Sequence, residues 1–245
     1  MSVPGPELAK FYWLPPMLRP KTAMTRNEER TFLLVGAAML FGGFDQNVYG
    51  FAIPQIQASL HIPENQIGPT VSLFRFATFV AMLLALSADL VGRRRLLLLT
   101  VFGQAAFTLA TAFSQTYAQF VWLQVLTRVF GYAEEMLCIV VVVEELSANL
   151  RGWSAGALSA MNYTGAGLAS LCFAFVTILP GGWRALYVIG AGGLFFLAFL
   201  RRRLPETKRF QARQAEVQRL HERIGGVRGP SPAHIEPSQS VRPLE

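Results

Sequence analysis

The chain has 245 residues, of which 52% are hydrophobic and only 15% charged, with a mean hydropathy of +0.37. Soluble domains carry roughly 25% charged residues, so an ordinary soluble enzyme or binding domain is excluded. The net charge of +7 would fit nucleic-acid binding only if the basic residues shared a face. Here they stand in short clusters between long apolar runs, which reads as membrane topology with no nucleic-acid partner.

Residues 1–30 contain Lys10, Arg19, Lys21, Arg26 and Arg30 and no apolar core before Thr31. That pattern predicts a retained cytoplasmic N-terminal segment rather than a cleaved signal. A helix that crosses a bilayer needs about 20 mostly apolar residues. Six stretches qualify, at 31–53, 67–91, 96–114, 118–143, 153–178 and 183–200, with turn or charge signals at the joints: Pro54 and Pro63, then 92–95, 114–117, 144–152 and 180–182. The predicted fold class is all-α integral membrane, with six transmembrane helices in a domain over 31–200. The N-terminal segment, Arg93 to Arg95, Arg151 and the basic residues after position 200 fall on one side, and Arg184 alone on the other. The positive-inside bias makes both termini cytoplasmic in a multi-pass protein of the cell membrane, an inner membrane in a bacterium. Beyond the last span, Phe210, Val217, Leu220 and Ile224 form one stripe beside Lys208, Arg209, Arg213, Arg219 and Arg223. This predicts a basic amphipathic helix at the cytoplasmic surface within 201–228, followed by a disordered tail over 229–245.

The joint between the second and third spans reads Ala85-Leu86-Ser87-Ala88-Asp89-Leu90-Val91-Gly92-Arg93-Arg94-Arg95. It resembles the signature loop of the major facilitator superfamily, G-x-L-A-D-x-x-G-R-R/K-x, with Ala85 and Ser87 in place of its first glycine and its leucine. Glu144, seven residues before Arg151-Gly152, is similar to the joint after the fourth span of sugar-porter and organic-acid members. Trp183-Arg184 through Leu204-Pro205-Glu206-Thr207 is similar to their sixth-span ending. The resemblance implies a 3+3 inverted repeat forming half of a twelve-helix carrier fold. It also implies a cytoplasmic gating loop containing Asp89, Gly92, Arg93, Arg94, Glu144 and Arg151, in which Glu144 or Glu145 could pair with Arg93. Simple helix orientation and capping is the alternative role. Because six spans make half of such a carrier, the path would need a homodimer or a separate C-terminal half. A truncated remnant that does not transport is the competing reading.

Charged residues within a span are costly and mark candidate sites. Asp45 and Arg75 each lie about eight residues, near 12 Å, from the outer ends of adjacent spans, and Arg128 lies about ten residues in. One Asp and two Arg at a common depth suit an anionic substrate: Arg75 or Arg128 would bind a carboxylate while Asp45 exchanges a proton. A permanent Asp45–Arg75 pair is the alternative. Arg128-Val129-Phe130-Gly131 is similar to the superfamily's fourth-span R-x-x-x-G motif, with the glycine one position early, and the resemblance implies a proton-coupling role for Arg128. Glu134 and Glu135 follow, and Glu135, two turns from Arg128 on nearly the same face, is the preferred second titratable group; a buried pairing with a neighbouring helix is the alternative. Gln46, Asn47, Tyr49, Asn162 and Tyr163 add hydrogen-bonding groups that could orient a polar solute or join helices. Gly156, Ala160 and Thr164, with Gly165 and Ala169, recur at four-residue spacing, as close helix packing requires.

Catalysis is not expected. Val188 to Gly193 lacks the third glycine and the βαβ setting of a dinucleotide site, and no GxxxxGK(S/T), GxSxG or HExxH occurs. Cys138 and Cys172 sit singly in apolar runs, and His61, His221 and His234 fall outside the spans, so no metal and no cofactor are predicted. The expected activity is secondary active transport of a small metabolite, an organic acid or a sugar-like solute, and the expected partners are that substrate, H+ and the lipid bilayer.

Overall fold

In the computed structural model, Pro20 and residues 24–202 are described; the remainder of the N-terminal segment, the predicted amphipathic helix beyond Arg202 and the tail over 229–245 lie outside the described residues. The elements are α1 (Arg26–Leu60), α2 (Ile67–Leu86), the single turn α3 (Ala88–Val91), α4 (Arg93–Ala112), α5 (Tyr117–Glu145), α6 (Arg151–Ala174) and α7 (Trp183–Arg201), with 3-10 turns at Glu64–Gln66 and Ala148–Leu150.

The Thr25 hydroxyl caps the start of α1 by accepting from the Glu28 amide at 3.3 Å, while the Glu28 carboxylate accepts from the Thr25 amide at 2.9 Å. This reciprocal box satisfies two donors that a helix start leaves over. The helix then runs through Pro54, where a joint was predicted. A proline inside a helix removes one backbone bond and crowds the carbonyl four residues back. Here that residue is Gly50, and burial of Ile56 and Leu60 beyond the proline holds the last turns in place. The predicted second span breaks instead at Ser87, and Gly92, at φ 99°, makes the turn from α3 into α4 that a side chain would strain.

Among the described residues, three helical segments, Glu64–Leu86, Arg93–Ala112 and Trp183–Arg201, are long and apolar enough to cross a membrane by length and composition. The other long helices are less apolar: α1 and α5 carry Asp45, Arg128, Glu134 and Glu135, and α6 is rich in Gly, Ala and Ser.

Apart from α4 and α5, long helices that follow one another in the chain are not the main neighbours. α1 packs chiefly on α6 and then on α7 and α5, α2 packs on α5, and α4 packs on α5 and α7. The α1–α6 contact is close because a Cβ at Gly43 would strike the Asn162 carbonyl, and one at Gly165 would strike the Leu40 carbonyl. Small residues that let backbones approach are what membrane helices use in place of a hydrophobic drive.

Buried apolar side chains form two clusters. One includes Phe32, Val35, Leu96, Val101, Leu137, Val142 and Leu197; the other includes Phe44, Ile56, Phe74, Phe120, Trp183 and Tyr187. On α4, α5 and α7 the clusters leave a gap around Thr108, Arg128 and Gly190. Asp45 on α1 lies at the same level, so a polar belt divides the interior.

Candidate functional site: a charged belt between two apolar clusters

Asp45 is buried, 3% exposed, and its partners are neutral. It accepts from Gln104 Nε2 at 3.1 Å and from Thr108 Oγ1 at 2.9 Å, both on α4. Gln104 and Thr108 are four residues apart, so one face of α4 presents both donors to one carboxylate. On the α7 side, Gly190 stands next to the carboxylate, where an added Cβ would lie 3.9 Å from Oδ1.

Arg128 lies in the same belt and is 8% exposed. Its guanidinium donates weakly to the Tyr132 hydroxyl and to the Gln46 carbonyl, each at 3.4 Å. The guanidinium carbon is 4.6 Å from the centre of the Phe74 ring and 5.9 Å from that of Tyr49. Arg128 forms no ion pair with Asp45, and its Nε is buried without a hydrogen-bond partner. A cation held by ring faces and two long hydrogen bonds rather than by a carboxylate has donors left for another acceptor, the Nε–H among them. Above it, Tyr49, Phe74, Phe120, Trp183 and Tyr187 form a buried roof, with successive ring centres 5.0 to 6.4 Å apart.

The structure brings Asp45 and Arg128 to one level and leaves Arg75 out. Arg75 is exposed on α2, a helix that has little contact with α1. The alternative Asp45–Arg75 pair is therefore absent, because α2 packs on α5 rather than on α1. Asn47 folds back to donate to the Gly43 carbonyl at 2.8 Å. Gln46 contributes its backbone carbonyl, Asn162 lies at the α1–α6 contact, and Tyr163 is 76% exposed.

Of the two adjacent glutamates, Glu134 is the buried one. It pairs with Arg201 and accepts from the Thr100 hydroxyl, and the Cys138 thiol donates to it at 3.4 Å. Glu135, the residue favoured from sequence, is half-buried and outside this cluster. Arg201, assigned from sequence to the cytoplasmic tail, is the last residue of α7 and 1% exposed. It turns inward because Glu134 supplies a buried counter-charge and the Leu34 carbonyl a further acceptor at 3.2 Å.

Near the α3–α4 turn, Arg93 pairs with Glu144 at the end of α5, and Arg94 donates to the Arg202 carbonyl at 2.6 Å. Asp89 lies in α3 and Arg151 is exposed at the start of α6. Sequence reasoning missed Thr100, Gln104, Thr108 and Arg201. The 100, 104, 108 spacing of polar residues on one helix face was the available signal for the first three.

A bundle of long helices with a charged belt between two apolar clusters defines an integral membrane protein. The Major Facilitator Superfamily description fits residues 35–239, and the chain belongs to that superfamily. It is 31% identical over 194 residues to the gallate transporter of Pseudomonas putida, matching 77% of this chain and 42% of that protein. Among solved structures it resembles the proton:xylose symporter XylE bound to 6-bromo-6-deoxy-D-glucose, with a TM-score of 0.69 and 14% identity over 82% of this chain and 50% of that one. The inward open form of XylE from E. coli gives a TM-score of 0.64 at 15% identity, covering 80% and 52%. The chain thus spans about half the length of the relatives it matches, and at these identities the structural likeness defines the fold.

Proposed function

We propose that this chain forms the N-terminal half of a proton-coupled secondary carrier for a small organic acid. The observation that carries the reading is the division of labour in the belt: Asp45 is held by neutral donors, while Arg128 stands at the same level with no acid of its own. A substrate carboxylate would take the remaining Arg128 donors, and Asp45 would gain and lose the coupled proton. The likeness to a gallate transporter supports a carboxylate as the substrate class.

Six membrane-crossing helices in a 3+3 inverted repeat belong to this proposal. The packing supports it: exchanging α1, α2 and α4 with α5, α6 and α7 turns the α1–α6 contact into α5–α2 and the α4–α5 contact into α7–α1, and each of these is among the main contacts. The path is completed by a second six-helix half, a second copy of this chain or a different polypeptide segment. Both ends of this half face the cytoplasm, and the Arg93–Glu144 pair, with Asp89, Gly92, Arg94 and Arg151, forms the cytoplasmic gate between α4 and α5.

Gallate and its neutral methyl ester test the substrate class. In proteoliposomes that hold this chain together with its second half, the carrier is expected to accumulate gallate and to ignore the ester, and Arg128→Gln is expected to lower gallate uptake about 10- to 100-fold, the scale of one hydrogen bond to a charged group. Equal handling of acid and ester, or full uptake by Arg128→Gln, overturns the assignment.

A further inference from the structure

The end of the bundle that carries the α3–α4 turn also holds the start of α1 and the end of α7. Arg94 donates to the Arg202 carbonyl there, and Arg201 donates to the Leu34 carbonyl at 3.2 Å, which joins α7 to α1. Beside this join lies an open groove of about 650 Å³. Arg26, Glu29, Arg30, Leu33 and Leu34 of α1 form one wall, and Phe199 and Leu200 of α7 form the other.

The groove is graded from charged to apolar along α1. Arg26 and Arg30 are both exposed and four residues apart, so they share a face of the helix. Leu33 and Leu34 follow within one turn, where the apolar run of α1 begins. Across from them Phe199 is 60% and Leu200 40% exposed. In a membrane protein, cations one turn outside the first apolar residues stand among the lipid headgroups, and the apolar walls further in face the acyl chains.

The charges on the wall decide what fits. Two guanidiniums against one carboxylate leave the groove positive by one charge, and a guanidinium fork matches phosphate oxygens. A free anion would use the arginines and leave the apolar half uncovered. The chain's own next segment, residues 203–228, carries seven Lys or Arg against three Glu, so it would be repelled by the rim. A second copy presenting the same rim would be repelled likewise. A phosphate linked to acyl chains matches both halves of the groove.

We infer that the groove between the start of α1 and the end of α7 is a binding site for an anionic phospholipid. The phosphate lies against Arg26 and Arg30, a headgroup hydroxyl donates to Glu29, and an acyl chain runs inward between Leu33 and Phe199. The lipid then bridges α1 and α7 at the end where Arg201 already ties them together. The site needs the bundle to lie in a bilayer, and it is independent of proton coupling and of the carrier's substrate.

Native mass spectrometry of the detergent-purified chain counts bound lipid directly, with dioleoyl phosphatidylglycerol or dioleoyl phosphatidylcholine added. Phosphatidylglycerol is expected to bind at least about fivefold more tightly. The double variant Arg26→Gln, Arg30→Gln is expected to weaken it on the order of 25-fold, roughly fivefold for each charge near a membrane surface. Arg95→Gln removes an exposed charge near the α3–α4 turn, outside the groove, and is expected to bind as wild type. Leu200→Trp fills the apolar half and is expected to expel the lipid with both arginines in place.

Equal affinity for the two lipids, or equal losses from Arg95→Gln and Arg30→Gln, would show a general surface charge and overturn the site. Wild-type binding by Leu200→Trp, or displacement of the lipid by inorganic phosphate, would assign the arginines to a free anion and overturn the lipid. A thermal measurement tests the bridge on the folded protein. In nanodiscs, replacing half of the phosphatidylcholine with phosphatidylglycerol is expected to raise the melting temperature of the wild type more than that of the double arginine variant. Equal rises would contradict the inference.

Discussion

Arg201 and Glu134 show how a single residue's position depends on what faces it. An arginine at the end of a membrane helix ordinarily extends its stem toward water. This one is held inside by a carboxylate on α5, a carbonyl on α1 and the Cys138 sulfur at 3.4 Å. Truncating one member of a buried pair leaves the other charge without compensation, a loss of about 3–5 kcal/mol. Arg201→Met is expected to lose stability on that scale in a denaturation series, and the double variant Glu134→Gln, Arg201→Met is expected to lose less than the sum of the two single changes. Additive losses would mean that the two side chains do not act on each other.

The same residues mark the limit of what the sequence told. Asp45 and Arg128 were legible because a charge inside an apolar run stands out. Gln104 and Thr108, which hold Asp45, were not, since uncharged polar residues barely lower the apolar signal of a membrane helix. Glu134 and Glu135 are adjacent, and only the packing of α5 against α4 and α7 decides which of them turns inward. Arg201 sits at the edge of its apolar run, where composition cannot tell an inward side chain from an outward one.

At the scale of the elements, the long helices were legible from apolar runs and turn signals, and their neighbours were not. Arg75 was placed beside Asp45 on the premise that consecutive spans adjoin, whereas α1 adjoins α6. The joint predicted at Pro54 fails because the turns beyond it, with Ile56 and Leu60, are buried. The close α1–α6 contact yields its own prediction. Gly165→Val adds side-chain atoms where the Leu40 carbonyl already touches the backbone, so it must push the helices apart. Overpacking of this kind costs roughly 1–3 kcal/mol or more, and a lower melting temperature in detergent is expected. Gly167→Val, at a position with open space around it, is the control and is expected to melt near the wild-type temperature. Equal melting of the two variants would show that α1 and α6 do not meet at Gly165.

For the whole molecule, the interior is two apolar clusters held apart by a belt whose charges are Asp45 and Arg128. Such a belt is costly to keep in a membrane, and under the proposed function it is kept for proton-coupled movement of an acid. The most direct measurement is gallate uptake under an imposed pH gradient into proteoliposomes that hold this chain together with its second half, comparing the wild-type protein with Asp45→Asn. Proton coupling through Asp45 predicts that the variant loses gradient-driven accumulation while still exchanging gallate at equal pH. Accumulation by Asp45→Asn at the wild-type rate would contradict it.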